Sequence, residues 1–319
     1  MVAVVHSGFD TVQGEVHGLK QHIAEPEQGA PRHIYTLAEA DQYCAALARG
    51  HYENFTVASG LLPRRLRKHF FSVYAFCRCA DDLGDELHDP ERSVRALQWW
   101  RSELDACYRG EPLHPVFVSL WDTITHFEIP RKPFDDLIDA FLQDQAITRY
   151  ETYEQLLGYC KRSANPVGRL VLYLCGYSDS ERQDLSDCTC TALQLANFWQ
   201  DVQRDLEIDR VYIPLSDMAR FGCTYEDLFA RRSTPAFREL IRYEVERTRQ
   251  LFQQGLPLID RLDGSLRLDI LLFSRGGMAI LDKIERQGWD VLERRPSLSR
   301  LEKIRLTSGW LIRRLLHIP

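Results

Sequence analysis

The sequence predicts an all-α protein, and three observations carry that prediction. From Tyr35 onward, apolar residues recur at the i, i+3, i+4, i+7 spacing of an amphipathic helix, for example over residues 97–108 and 134–142. Strand signals are nearly absent, since no Asn-Gly or Asp-Gly turn is flanked by alternating apolar residues. Neither a composition shift nor a fixed-period repeat divides the chain. We therefore expect one helical domain over residues 35–319, preceded by a loose arm over residues 1–34.

Turn-forming residues separate the predicted helices in order along the chain. They fall at Pro63, 89–90, 112–115, 130–133, 178–180, Pro214 and Pro257. Because prolines and short polar clusters interrupt helical hydrogen bonding, these breaks predict roughly ten helices. The one Asp-Gly pair, at residues 263–264, lies between two of them.

Composition excludes several classes of protein. The 319 residues include 40 basic and 46 acidic side chains, a net charge of −6, which is too small for a nucleic-acid binder or an acidic tail. Hydrophobic residues make up 45% of the chain, enough for a large core. With 18 glycines and 14 prolines, the chain is neither collagen-like nor of low complexity.

The cysteines and the apolar segments predict a cytoplasmic protein. Among nine cysteines, two pairs stand two residues apart, unlike the Cys-x-x-Cys of zinc and redox sites, so we expect reduced thiols. The first 30 residues do not resemble a signal peptide, and no stretch reaches the roughly 18 to 20 apolar residues of a membrane span. Residues 310–317 are amphipathic and are expected to pack as a last helix, with peripheral contact to a membrane as the alternative.

The most informative segment is FFSVYAFCRCADDLGDE, residues 70–86. On a helix that advances about 100° per residue, Tyr74, Arg78, Asp81 and Asp85 fall on one line, with Asp82 at its edge. The rest of the helix is largely apolar. A surface helix has one apolar face on an otherwise polar helix, and this segment has the opposite pattern. We therefore expect a buried helix whose polar line faces a cavity.

The same pattern recurs in TALQLANFWQDVQRD, residues 191–205. Gln194, Asn197, Asp201 and Asp205 stand at i, i+3, i+7 and i+11, again on one line of an apolar helix. Each of the two helices therefore presents an Asp-x-x-x-Asp pair.

Clustered carboxylates repel one another and are costly to bury unless they are paired. Mg²⁺ resolves this, because it takes one or two carboxylates and completes its octahedron with water and phosphate oxygens. The two pairs are therefore suited to hold a diphosphate through several Mg²⁺ ions, with Arg78, Arg204 and Arg210 as candidate phosphate ligands. Solvated helix ends, or a carboxylate–arginine network without metal, are the alternatives.

Four segments together resemble the squalene/phytoene synthase family, the head-to-head class of all-α isoprenoid synthases, over about residues 45–295. They are HYENFTVASGLLP (51–63), YAFCRCADDLGDE (74–86), YCKRSANPVGRL (159–170) and QLANFWQDVQRDLEIDRVYIP (194–214). The resemblance implies a single-domain helical bundle around a central cavity, an isoprenoid diphosphate substrate and Mg²⁺.

The resemblance also implies roles for individual residues. Asp81, Asp82, Asp85, Asn197, Asp201 and Asp205 would bind metal; Tyr74 and Arg78 would meet the diphosphate; Tyr159 and Gln194 would line the reaction cavity. The remaining candidates for contact with the substrate are His51, Asn54, Phe55, Ala164, Val167, Gly168, Arg204, Arg210 and Tyr212. Among them, Ala164 and Gly168 would allow close approach, and Phe55 and Val167 would form apolar wall around a carbocation.

Two departures from the condensing enzymes of the family favour one branch. Gln200 precedes Asp201 where condensing enzymes often have Arg, and the stretch Arg275-Gly276-Gly277-Met278 stands where a late helix commonly presents Tyr. With the segments ENFTVASGLLP, DDLGDE and NFWQDV, these departures resemble the hopanoid-pathway branch that contains hydroxysqualene synthase. In that branch presqualene diphosphate loses diphosphate, the cation rearranges, and water captures the allylic product. In this chain Gln194, Tyr159 and Asn54 are the candidates to position that water. Presqualene diphosphate synthase and a squalene-forming oxidoreductase would be its pathway partners.

Three alternatives remain open. A condensing synthase would join two farnesyl diphosphates to presqualene diphosphate or squalene, or would make phytoene or dehydrosqualene. A non-catalytic helical scaffold would have no need of four clustered carboxylates. A cis or head-to-tail prenyltransferase is expected to carry the richer Asp-Asp-x-x-Asp motifs, which the second acidic segment lacks.

Overall fold

The computed structural model describes residues 33–50, 63–299 and 301–302. Twelve α-helices are bounded within these residues. They are α1 (Leu37–Gly50), α2 (Arg67–Asp85), α3 (Pro90–Tyr108), α4 (Pro115–Phe127), α5 (Lys132–Asp144), α6 (Tyr153–Ser163), α7 (Asn165–Leu174), α8 (Ser180–Glu207), α9 (Leu215–Arg220), α10 (Tyr225–Phe229), α11 (Pro235–Gly255) and α12 (Gly264–Arg286). Short 3-10 helices cover Arg64–Leu66 and Leu256–Arg261.

The all-α prediction is confirmed over the described residues. Their only β-type pairing is an isolated parallel bridge between Arg149 and Val211. The expected loose arm and the last amphipathic segment lie outside the described residues. Within the described part of the chain, every helix is too short or too polar to cross a membrane.

Several predicted breaks are helix caps. The Asp89 side chain accepts hydrogen bonds from the backbone N–H groups of Glu91 and Arg92, and Pro90 follows it as the first residue of α3. His114 caps α4 in the same way, accepting a hydrogen bond from the backbone N–H of Val116, ahead of Pro115. Because proline has no N–H to leave unsatisfied, the first turn is where a helix accepts it. Proline thus marks helix starts, as the sequence pattern predicted.

The helices group into two compact units, one of residues up to 147 with 166–179, the other of residues 148–165 with 180 onward. The expectation of one domain stays a prediction. In the first unit, the Phe76 ring of α2 lies 6.0 Å from Trp100, 5.9 Å from Phe117 and 5.0 Å from Phe134, centroid to centroid. These three rings come from α3, α4 and α5, so α2 runs through the core of the unit.

In the second unit, α8 is the central helix. The Trp199 indole N–H donates to Thr248 Oγ1 of α11 at 2.8 Å, and both residues are buried. On α12, a Cβ added at Gly277 would lie 2.4 Å from Phe252 Cζ and 2.9 Å from Leu193 Cδ2. Glycine is therefore required where α12 crosses α8 and α11.

Candidate active site

The first acidic line lies on the last turns of α2. Arg78 is its centre: its guanidinium forms ion pairs with Asp81 at 3.3 Å, with Asp82 four residues along, and with Glu86 at 3.5 Å. Asp81 is 4% exposed, and its Oδ1 has no hydrogen-bond partner among the described residues. Asp85, the last helical residue, is exposed. The predicted line is thus a real helical face that runs from the core to solvent.

The carboxylates on α2 are held in unfavourable surroundings. Burial, and then the charge of Asp85, raises the pKa of Asp81 well above its usual range. Burial raises the pKa of Asp82 to about 7, although Arg78 opposes the shift. Burial also raises the pKa of the half-buried Tyr74 hydroxyl to about 12, so this tyrosine stays protonated at neutral pH. One arginine does not offset the burial of these acids.

The second acidic line lies on α8 and is more deeply buried. Gln194 is 1% exposed, and Asn197 and Asp201 are each 5% exposed. Gln194 Oε1 and Asn197 Oδ1 both lack a hydrogen-bond partner among the described residues. Since buried polar atoms are nearly always bonded in folded proteins, these two oxygens on one helix face are available as acceptors for a ligand or for water.

Asp201 and Asp205 complete this line one turn apart. Burial, and then the charge of Asp201, raises the pKa of Asp205 well above its usual range, against the opposing charges of Arg210 and Arg295. Arg210 and Asp205 line the same small cavity. Arg204 is exposed on the last turn of α8. Arg295, 94 residues away in sequence, donates to both oxygens of Asp201.

Tyr159 and Tyr212 belong to an aromatic cluster beside α8. The Tyr212 ring stacks on Phe198 with centroids 3.8 Å apart and planes 8° apart. Tyr159 lies 6.2 Å from Phe198, and Tyr150 lies 5.8 Å from Tyr212. Both candidate tyrosines are buried, at 1% and 6% exposure. The cluster fixes the segment that follows α8 against the helix, one turn before Asp201.

The remaining candidates fall into two groups. Ala164 and Gly168 are buried and Val167 is half-buried, at the end of α6 and in α7. His51, Asn54 and Phe55 lie outside the described residues. The burial of Ala164 and Gly168 is consistent with the close approach expected at small residues.

The donor chemistry fits Mg²⁺. Each acidic helix offers only oxygen atoms, from carboxylates and the Asn197 amide, and hard divalent cations prefer oxygen. Among the described residues, no three His, Cys, Asp or Glu side chains converge into a complete metal cage. Mg²⁺ needs no such cage, because water and substrate phosphates fill the rest of its coordination sphere. The orphaned oxygens of Asp81 and Asn197 are free to bind a cation.

Sequence reasoning missed several buried acids, and Asp269 is one of them. Asp269 on α12 is 3% exposed, its Oδ1 has no hydrogen-bond partner among the described residues, and burial alone raises its pKa to about 7. The signal was present in the sequence, since LRLDILLF places one carboxylate in an apolar helix. A lone carboxylate does not form the helical line of polar residues that identified Asp81 and Asp201, so that criterion passed over it.

The sequence of this chain is similar to that of known proteins over most of its length. The chain matches the family model "squalene/phytoene synthase" over residues 48–302. Phytoene synthase from Thermus thermophilus is 35% identical over 256 residues, which cover 80% of this chain and 86% of that protein. Phytoene synthase from Arthrospira platensis is 28% identical over 273 residues, covering 82% and 88% of the two chains.

Solved structures give the same family. Squalene synthase HpnC from Alicyclobacillus acidocaldarius superimposes with a TM-score of 0.77 at 46% identity, covering 80% of this chain and 96% of that one. A dehydrosqualene synthase in complex with a ligand gives a TM-score of 0.76 at 23% identity over 86% and 98% of the two chains, a likeness of fold. The chain therefore belongs to the squalene/phytoene synthase family, whose members are enzymes that process isoprenoid diphosphates.

Proposed function

We propose that this enzyme is a Mg²⁺-dependent hydroxysqualene synthase. The enzyme would ionise presqualene diphosphate and release diphosphate. The cation would then rearrange and add water to give hydroxysqualene, an intermediate of squalene and hopanoid biosynthesis. The observation that carries the choice is the 46% identity to squalene synthase HpnC over nearly the whole of that chain. Gln200 and Gly276-Gly277, which depart from the condensing enzymes, support the same branch.

The metal ligands in this proposal are Asp81, Asp82 and Asp85 on α2, and Asn197, Asp201 and Asp205 on α8. Raised carboxylate pKa values support it, because a divalent cation relieves the repulsion and desolvation that raise them. Bound Mg²⁺ supplies Lewis-acid neutralisation of the departing diphosphate, which contributes several kcal/mol.

Arg78 is proposed to bind the diphosphate oxygens. Its guanidinium lies among Asp81, Asp82 and Glu86, whose charges raise its pKa against the opposing effect of burial, so it stays positively charged. A fixed guanidinium makes charge-assisted hydrogen bonds that strengthen as negative charge develops on the leaving group. Tyr74, four residues earlier on the same line, stays protonated and is able to donate a neutral hydrogen bond.

Gln194 is proposed to position the water that captures the cation. Its buried Oε1 is an unused acceptor on a helix whose other side chains there, Leu193 and Leu195, are apolar. In the proposed reaction, the carbon–oxygen bond to diphosphate breaks with its electron pair on the diphosphate. The cyclopropylcarbinyl cation that remains rearranges to an allylic cation. The water oxygen then bonds to the allylic carbon and loses a proton, for which the released diphosphate is the available base. A carbonyl oxygen holds that water without itself competing strongly as a nucleophile.

A second candidate is a condensing synthase. Phytoene synthases are 28% and 35% identical to this chain over most of its length, which favours head-to-head condensation of two diphosphates. The same metal ligands and Arg78 would serve it. The two candidates differ in whether farnesyl diphosphate is consumed.

The deciding experiment incubates purified protein with Mg²⁺ and either presqualene diphosphate or farnesyl diphosphate, without NADPH, and identifies the extracted products by mass spectrometry. We expect a triterpene alcohol from presqualene diphosphate and no consumption of farnesyl diphosphate. Formation of presqualene diphosphate or of a hydrocarbon from farnesyl diphosphate would instead establish the condensing synthase. Inactivity with both substrates would favour the scaffold.

A pair of variants on α8 tests the metal ligands. Asp205→Asn should lower kcat by several orders of magnitude at saturating Mg²⁺. Asp184→Asn removes an exposed carboxylate from the first turns of the same helix and should leave kcat unchanged. Equal activity of the two variants would contradict the assignment.

A further inference from the structure

The guanidinium of Arg295 forms hydrogen bonds with both carboxylate oxygens of Asp201. Its Nε donates to Oδ1, and its Nη2 donates to Oδ2 at 3.1 Å. The Asp201 side chain is 7% exposed and that of Arg295 is 26% exposed, so water screens this pair little. A two-bond, fork-like pair of this kind is among the stronger ion pairs in proteins.

Arg295 is held there by the segment that follows α12. Gln287, just past the helix, donates from its side-chain amide to the carbonyl of Arg294 at 3.1 Å and to that of Asp290 at 3.3 Å. Asp290 Oδ1 accepts from the backbone N–H groups of Leu292 and Glu293. We call residues 287–296 the strap, and these bonds give it a defined path.

The strap is also tied to α8 beside Asp201. Gln200 Nε2 donates to the carbonyl oxygen of Pro296 at 2.6 Å. Two adjacent residues of α8 therefore hold two adjacent residues of the strap: Gln200 holds Pro296, and Asp201 holds Arg295. Pro296 is buried, so the carbonyl that Gln200 satisfies lies at an ordered position. The residue that departs from the condensing enzymes thus has a definite structural task.

We propose that Arg295 is a built-in counter-ion of Asp201 that a divalent cation must displace, and that Gln200 is the positioning residue that keeps it in place. The proposal rests on the proposed function in one respect, namely that Asp201 is a metal ligand. Because a guanidinium and a cation need the same two oxygens, the pair lowers the affinity of Asp201 for Mg²⁺. It also keeps this carboxylate neutralised while the cation is absent.

The test measures cation binding to the free protein, with Mn²⁺ as a paramagnetic probe for the Mg²⁺ site, by titration followed by electron paramagnetic resonance. Arg295→Met removes the charge and both bonds, and should tighten Mn²⁺ binding about tenfold. Gln200→Met keeps the side-chain volume but loses the bond to Pro296, and should tighten binding by about two- to fivefold. Arg295→Lys keeps the charge without the fork geometry and should lie between wild type and Arg295→Met.

Arg294→Met is the matched control. Arg294 precedes Arg295 on the strap, is exposed, and carries the same charge. A field effect of net charge alone would tighten Mn²⁺ binding equally in both methionine variants, and that result would overturn the proposal. Unchanged or weaker binding in Arg295→Met, with the helical content kept, would overturn it as well. If Arg295→Met does not fold, tighter Mn²⁺ binding in Arg295→Lys and Gln200→Met supports the proposal, and unchanged binding in both variants overturns it.

Asp201→Asn separates this proposal from the proposed function. If Asp201→Asn leaves Mn²⁺ binding unchanged, Asp201 is not a ligand and the assignment of the metal site fails. If Asp201→Asn weakens binding but Arg295→Met does not tighten it, the metal site stands and the counter-ion proposal alone is wrong.

Discussion

The two adjacent glycines of α12 provide a matched pair of substitutions with opposite expected effects. A Cβ at Gly277 would lie 2.4 Å from Phe252 Cζ and 2.9 Å from Leu193 Cδ2, whereas a Cβ at Gly276 would meet no heavy atom within 4 Å. Both positions lie inside α12, far from its ends. Gly276→Ala and Gly277→Ala therefore make the same chemical change on the same helix, with and without a clash.

The magnitudes follow from helix propensity and packing. Alanine is favoured over glycine inside a helix by about 1 kcal/mol, and this gain applies to both variants. At position 277 the methyl group must displace Phe252, which is 1% exposed, so its ring moves only by pushing the side chains packed around it. Overpacking of a filled core costs about 1–3 kcal/mol. The difference in unfolding free energy between the two variants isolates this cost, because the propensity gain cancels.

Thermal unfolding followed by calorimetry measures the difference. We expect Gly276→Ala to melt above wild type and Gly277→Ala to melt below Gly276→Ala by about 3 °C, at roughly 1.5 °C per kcal/mol for a chain of 319 residues. Equal melting temperatures for the two alanine variants would refute the close approach of α12 to α8 and α11. Leu193, which the added methyl would push, is next to Gln194, so Gly277→Ala should also lower kcat.

Three further predictions concern buried polar groups. Burial raises the pKa of Asp269 from 3.8 to about 7, so the folded protein holds a proton that the unfolded chain releases. Between pH 4 and pH 7 this group should lower the free energy of unfolding by up to about 4 kcal/mol, so urea denaturation should show a correspondingly smaller loss of stability in Asp269→Asn than in wild type, and equal losses would contradict the prediction. Mg²⁺ with inorganic pyrophosphate at about 100 times its Kd should stabilise wild type and Asp184→Asn by about 2.7 kcal/mol, and should not stabilise Asp201→Asn. Equal shifts of the melting temperature in all three proteins would argue against a diphosphate site. Gln194→Met keeps the volume and loses the acceptor, so diphosphate release should continue while the alcohol fraction falls in favour of hydrocarbons; an unchanged product ratio by mass spectrometry would assign the water to another residue.

Local patterns account for what was predictable from the sequence. The spacing of Tyr74, Arg78, Asp81 and Asp85 is a property of one helix, and α2 has the predicted helical line. The same holds for Gln194, Asn197, Asp201 and Asp205 on α8. Because helical periodicity depends on neighbours within a few residues, a single sequence is sufficient to recognise it.

Features that depend on distant residues were not predictable. The bond between Arg295 and Asp201 joins residues 94 apart, and the sequence gives equal reason to choose Arg294. Likewise, Gly276 and Gly277 are identical in sequence terms, and only the position of Phe252 distinguishes them. A carboxylate in an apolar helix need not belong to either acidic line, as the buried Asp269 shows. The presence of such a carboxylate is therefore not sufficient to predict a residue of the candidate site.

The end positions of α2 and α8 have an electrostatic consequence. Asp85 is the final residue of α2, and Asp205 lies in the last turn of α8. Unpaired backbone carbonyls give a helix C-terminus a partial negative charge, equivalent to about half an electron, that adds to nearby carboxylates. The last turn of α2 contains no basic residue to offset it. At the end of α2, folding therefore carries an electrostatic cost, and the proposed divalent cation would recover part of that cost on binding. The backbone would thus contribute to cation affinity in a way that no substitution of a carboxylate removes.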